Sequence, residues 1–173
     1  MSVFFWKSPD EELIRNLMDK YAVSLDDDYI QFLKKYNGIF VDGDGDYIDI
    51  KLDKVENEFI SFQALFGLNN PRRNFDLFQL NDELRQEIES LSHPLVIGED
   101  PGGNFYVLEN TPESKKVFYW DRTHLHCNAN ADKPDIAEHG EEGNYYMVSE
   151  NFGEFWKLLS SYTDQMKFVQ AQH

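Results

Sequence analysis

Two groups of residues in this 173-residue chain have types and spacings that metal chemistry uses. The first is Asp42, Asp44 and Asp46, with Asp53 at the twelfth position of the segment. Alternating carboxylates converge on one hard cation in a calcium loop, and the twelfth residue closes the shell. Two positions break that pattern: the sixth, where a sharp turn needs Gly, is Tyr47, and the twelfth is Asp in place of a bidentate Glu. The segment therefore reads as an acidic hairpin turn between Phe40-Val41 and Tyr47-Ile48, its two Asp-Gly dipeptides supplying the positive φ of tight turns. The second group, His124, His126, Cys127 and His139, offers three imidazoles and a thiolate to zinc. His-x-His-Cys matches none of the usual structural zinc spacings, so these read as solvated loop residues. No metal and no cofactor is expected.

Nucleophilic and phosphate chemistry are equally short of a motif. There is no G-x-S-x-G elbow, and nothing near Cys127 fixes a thiolate geometry. Gly98 to Asn104 has the glycines of a phosphate cradle, yet Glu99 and Asp100 stand where the anion would sit. Neither a Walker A nor a dinucleotide fingerprint occurs, and the chain is not expected to be an enzyme. The formal net charge is -16, which repels nucleic acid and anionic membrane and draws in cationic partners at rates that salt should lower. With 41% hydrophobic and 15% aromatic residues the chain is nonetheless globular, and its length suits one domain over residues 1–173. A single cysteine excludes an intrachain disulfide. The opening MSVFFWKSPDEE lacks the basic start and apolar length of a signal peptide, and no run approaches the roughly 20 apolar residues of a membrane span. A cytoplasmic location is expected.

These side chains must be positioned by a framework whose periods are plain. Ser8-Pro9-Asp10-Glu11 reads as a helix start with Ser as cap, followed by an apolar stripe at Leu13, Leu17 and Tyr21. A second helix starts at Ser24, carries Tyr29, Phe32, Leu33 and Tyr36 on one face, and exits at Asn37-Gly38. Ile48, Ile50 and Leu52 alternate as a strand, and Phe59 to Phe62 reads as another. Gly67 to Arg73 is a loop; a third helix opens at Asn81 or Asp82 and ends before His93-Pro94. Leu95 to Ile97, Phe105 to Leu108 and Val117 to Trp120 read as central strands, the first two joined by a type II turn over Asp100-Pro101-Gly102-Gly103. Residues 121–143 are polar and irregular, Tyr145 to Val148 returns as a strand, and Ser149 caps a final helix with Phe152, Phe155, Trp156 and Leu159 on its apolar face.

Taken in order, Tyr29-Ile30-Gln31-Phe32-Leu33-Lys34-Lys35-Tyr36-Asn37-Gly38, Ile97-Gly98-Glu99-Asp100-Pro101-Gly102-Gly103-Asn104, Val117-Phe118-Tyr119-Trp120-Asp121 and the closing Phe152 to Leu159 helix resemble the SUKH superfamily. The resemblance implies an α+β fold: a central, mainly antiparallel sheet of about six strands packed by N- and C-terminal helices. It also implies an immunity role in bacterial toxin systems, in which the protein binds a cognate toxin domain, often a nuclease, without catalysis. The acidic turns at Asp42, Asp44, Asp46, Glu99 and Asp100 would then meet the toxin's basic residues, with Tyr119, Trp120 and Asp121 as further contacts. Two of these have an internal alternative: Trp120 as core, Glu99 as a carboxylate that fixes its turn through backbone amides. The other role open to the superfamily is a non-catalytic regulatory scaffold for endogenous proteins. Oligomeric state is left open.

Overall fold

Apolar stripes set the helices, and Asp or Asn side chains one residue outside them cap three of the four described α-helix starts. The structure, a computed structural model, describes residues 1–43, 45, 47–55, 57–123 and 142–171. Helix α1 (Glu11–Tyr21) buries Ile14, Leu17 and Tyr21, and its last turn leaves through Ala22 at a φ of 51°. Ser8, expected as its cap, instead donates its hydroxyl to the carbonyl of Lys34, and Asp10 takes the cap position without a side-chain bond. Helix α2 (Asp27–Tyr36) begins two residues later than Ser24 suggests, because the Asp26 carboxylate accepts the Tyr29 N–H at 2.8 Å. Its exit at Asn37-Gly38 is left-handed at both residues, as expected.

Helix α3 (Leu77–Leu84) corrects the expected start at Asn81 or Asp82. The Asp76 carboxylate accepts from Phe78 N and Gln79 N, so the helix starts four residues early and Asn81 is buried in its middle. A 3₁₀ turn over Arg85–Glu87 then ends it, leaving Ile88 and Leu91 outside. Helix α4 (Phe152–Thr163) is capped by Asn151 and not by Ser149, with Asn151 accepting the Glu154 N–H at 2.8 Å.

Ten strands are described: β1 (Ser2–Phe5), β2 (Ile39–Asp42), β3 (Ile48–Lys51), β4 (Phe59–Phe62), β5 (Ala64–Leu65), β6 (Leu95–Glu99), β7 (Phe105–Leu108), β8 (Val117–Asp121), β9 (Asn144–Ser149) and β10 (Lys167–Gln170). Eight form one sheet in the order β10-β1-β2-β5-β6-β7-β8-β9, more than the six expected, and β3 and β4 pair apart from it. Every pairing is antiparallel except β1 with β10. The class is α+β, as the resemblance implies. The expected hairpin between β2 and β3 does not form: β2 pairs with β1 and β5, while β3 pairs with β4, Ile48 opposite Phe62.

Two close approaches lock the halves of this sheet together. The side chain of Asn37 donates to the carbonyls of Lys7 and Leu68 and accepts the Leu68 N–H at 2.7 Å. Gly67 faces it so closely that an added Cβ would lie 2.0 Å from the Asn37 carbonyl oxygen. Since β5 is only two residues long, β6 has backbone groups with no strand opposite them, and the buried Asn81 side chain takes the strand's place. It donates to Val96 O at 2.9 Å and accepts from Val96 N at 2.8 Å. On one face of the sheet, Tyr106 of β7 meets Phe155 of α4 and Phe62 of β4 at ring distances of 5.2 and 5.6 Å. Phe105 and Trp120 point the other way, pairing at 5.8 Å.

Candidate acidic interface at one edge of the sheet

Strand direction decides which acidic residues meet. The registers place Phe40, Ala64, Glu99, Phe105 and Trp120 in one row across β2, β5, β6, β7 and β8. Strands β2, β6 and β8 run the same way, so Asp42, Glu99-Asp100 and Asp121, at or just past their C-terminal ends, all lie along one edge. With about 4.8 Å between neighbouring strands, β2, β6 and β8 are about 10 Å apart in turn, and the row spans about 20 Å. Asp42 is exposed, Glu99 and Asp121 are half-buried, and Asp100 is buried.

Asp100 is an internal group. One carboxylate oxygen accepts the N–H groups of Gly102 at 2.7 Å and Asn104 at 2.9 Å. The other accepts the Asn104 side-chain amide at 2.9 Å and the Tyr119 hydroxyl at 2.7 Å. Four donors on two oxygens hold the β6–β7 turn closed and tie it to β8. The turn-fixing role considered for Glu99 therefore belongs to its neighbour. Positive φ falls on Gly103, at 86°, and not on Gly102, so the expected type II geometry is replaced by a loop wound around the Asp100 side chain.

Tyr119 and Trp120 belong to the same framework. Burial, and then the charge of Asp100, push the Tyr119 hydroxyl well above the usual tyrosine range, so it remains a donor. Trp120 is fully buried, gives its ring N–H to the carbonyl of Glu142 at 2.6 Å and stacks on Tyr145. Neither ring is open to a partner.

Two residues that the motif search passed over complete the assembly. Asn104 accepts the backbone N–H of Arg122 at 2.7 Å, joining the turn to the residue after β8. Arg122 reaches Glu87 at 2.6 Å and lies over the rings of Trp120 and Phe105 at 4.7 and 5.6 Å. The signal for Asn104 was present as Asp-x-Gly-x-Asn, a spacing that lets one Asp carboxylate collect the amides two and four residues on.

What faces outward is a sparser set. The carboxylate of Asp121 accepts the Thr123 N–H at 2.9 Å. Glu99 receives no hydrogen bond on its carboxylate from any described residue. Burial, followed by the negative charge of Asp100, pushes its pKa from 4.5 up to about 7. The edge thus holds a carboxylate whose ionised form is unfavourable until a cation approaches. Asp44 and Asp46 lie outside the described residues, as do His124, His126, Cys127 and His139. Among the described residues no three His, Cys, Asp or Glu side chains stand together as metal ligands.

Among the described residues no helix is long and apolar enough to cross a membrane. A comparison with curated proteins finds no match. The model of the SMI1/KNR4 family (SUKH-1) matches residues 8–157, a span that runs from just before α1 into α4 and takes in the Asn37-Gly38 exit, the Asp100 turn and β8. The family is associated with toxin-immunity systems, and its members are generally non-catalytic immunity or regulatory proteins that bind a partner. Matched over most of its length, this chain belongs to the SMI1/KNR4 (SUKH-1) family.

Proposed function

We propose that the chain is an immunity protein that binds and neutralises a cognate polymorphic toxin domain, a basic nuclease, through its acidic surface. The observation that carries this reading is the alignment of Asp42, Glu99 and Asp121 along one edge of a sheet in a family member of net charge -16. Acidic residues that end strands about 10 Å apart on a rigid sheet, Glu99 turned to one face and Asp121 to the other, present to a partner what a nucleic acid backbone presents to a nuclease: concentrated negative charge. The edge needs no bond-making group. It excludes the substrate by holding the cations that would hold phosphate, and the fixed Asp100 turn keeps the row from rearranging.

The test is protection. Toxin domains encoded beside this chain's gene are to be sought and expressed in cells with and without the chain, and their cleavage of DNA and RNA followed in vitro. Cells should survive only with the chain, cleavage should stop at equimolar chain, and association should slow steeply as salt rises. Survival unchanged by the chain, or association indifferent to salt, defeats the proposal. Because the family also includes regulatory members, a second reading is a scaffold for endogenous proteins. Constant co-purification of a housekeeping partner, with no protection, would select it.

A further inference from the structure

The β3–β4 hairpin stands apart from the main sheet, and its outer face carries an arrangement that the acidic edge does not explain. Its inner face is ordinary core, since Ile48, Ile50, Ile60 and Phe62 are all buried. The outer face places Asp49 opposite Ser61 and Lys51 opposite Phe59. Phe59 is 52% exposed, Tyr47 just before β3 is 39% exposed, and Tyr162 of α4 is 37% exposed; apart from Met1 these are the exposed large hydrophobic residues among the described residues. The register puts Phe59 diagonally across from Asp49, and Tyr47 stands two residues before Asp49 on the same face. Tyr162 approaches from the other side of β3: its hydroxyl accepts the Lys51 N–H at 3.5 Å, whereas the Leu52 N–H turns to Glu58 on the β4 side. Scattered exposed aromatics mean little, whereas Tyr47 and Phe59 bracket one carboxylate on a single strand face.

Between those aromatic ends stands a carboxylate with spare capacity. Among the described residues only the Ser61 hydroxyl donates to Asp49, at 3.3 Å, which leaves most of its acceptor sites free. Lys51 is turned to Asp53 at 3.2 Å, so the one cation on this face is already engaged. The segment 42–58 holds seven acids and two lysines, which keeps the surroundings negative. A carboxylate flanked by aromatic faces, in a negative field, suits a guanidinium: planar, bidentate toward oxygen and weakly hydrated enough to stack. An ammonium takes less from the same surroundings.

We propose that the outer face of the β3–β4 hairpin is an arginine-docking surface for a cationic protein partner, with Asp49 as the carboxylate and Tyr47 and Phe59 as the flanking rings. It deepens the toxin-binding reading, on which it rests for the partner's identity, by naming a second contact region and the side chain it takes. Both cations are drawn to an exposed ring, and arginine adds planar stacking and a bidentate hold on the carboxylate, so an arginine should bind about three times more tightly than a lysine in its place.

Two synthetic twelve-residue peptides test it, one alternating Arg and Ser and one alternating Lys and Ser, titrated into the full chain and followed by amide NMR and calorimetry. The Arg peptide should bind at least about three-fold more tightly than the Lys peptide and shift the amides of 47–51 and 59–61 to saturation. Phe59→Ser and Asp49→Asn, both on the outer face and neither in the core, should each remove that preference while leaving a weak, salt-sensitive attraction. Equal affinity for the two peptides, shifts spread over the whole surface, or an unchanged preference in both variants would overturn the proposal. The peptide comparison on the unaltered chain stands even if a variant folds poorly. The immunity reading fails separately: protection without the arginine preference removes this surface alone, and the preference without protection removes the toxin as its partner.

Discussion

Glu99 gives the sharpest quantitative expectation, because its carboxylate lies at the end of β6 beside the fixed charge of Asp100 with no donor of its own among the described residues. Its pKa rises from 4.5 to about 7 on folding, first through burial and then through Asp100. A carboxyl group that binds its proton more tightly when folded stabilises the fold most below the unfolded value; that contribution is lost as pH rises from about 4.5 through about 7. The shift sets a ceiling of about 3 kcal/mol on the penalty at pH 8. Glu99 is only half-buried, and screening by water brings the expected figure to about 1–2 kcal/mol. Glu99→Gln keeps the shape and removes the charge. Urea unfolding of both proteins, read from the fluorescence of their tryptophans, would be compared between about pH 5.5 and 8.5, clear of the pI near 4.5. The variant should be more stable by about 1–2 kcal/mol at the alkaline end, with the gap shrinking as pH falls. A pH-independent gap, or a variant less stable at pH 8, would refute this account of the edge.

Further substitutions probe the framework. Asp100→Ala strips acceptors from two backbone N–H groups and the Tyr119 hydroxyl, and calorimetry should show a loss of about 3 kcal/mol or more. Asn81→Leu leaves the N–H and C=O of Val96 unpaired inside the protein and should cost about 2–3 kcal/mol, with faster amide exchange along β6. Gly67→Ala forces a methyl group against the Asn37 carbonyl, backbone against backbone, and should lower the melting temperature by about 10 °C or more, where a surface Gly→Ala moves it little.

The helices and the central strands were legible because their signals are local. Leu17 and Tyr21, Phe32 and Leu33, and Phe152 and Phe155 repeat at helical spacing, and the runs in β6, β7 and β8 are apolar without a break. Strands β1, β5 and β10 were not read, since β5 has only two residues and neither Ser-Val-Phe-Phe nor Lys-Phe-Val-Gln alternates. Their pairing depends on partners far away in sequence, Val3 on Phe168 above all. The third helix was misplaced because Asp76, an N-cap, follows an Arg-Arg-Asn-Phe segment that reads as loop. At the edge, the acidic residues were found from type alone, while their orientation depends on strand parity and on what lies beneath. Asp100 and Glu99 are adjacent and chemically alike, yet Tyr119, across two strands, claims one of them.

The parallel pairing of β1 with β10 also has a consequence in time. The ribosome delivers Val3 long before Phe168, its partner, and at 5–20 residues per second the interval is about 8–30 s. Throughout it, β2 can already flank β1 on one side while the other side keeps its amides and carbonyls unmatched. The sheet is therefore completed last at the margin made from the chain's first strand. A nascent chain paused after α4 would expose a ready template for any passing strand until residues 167–170 arrive to close it.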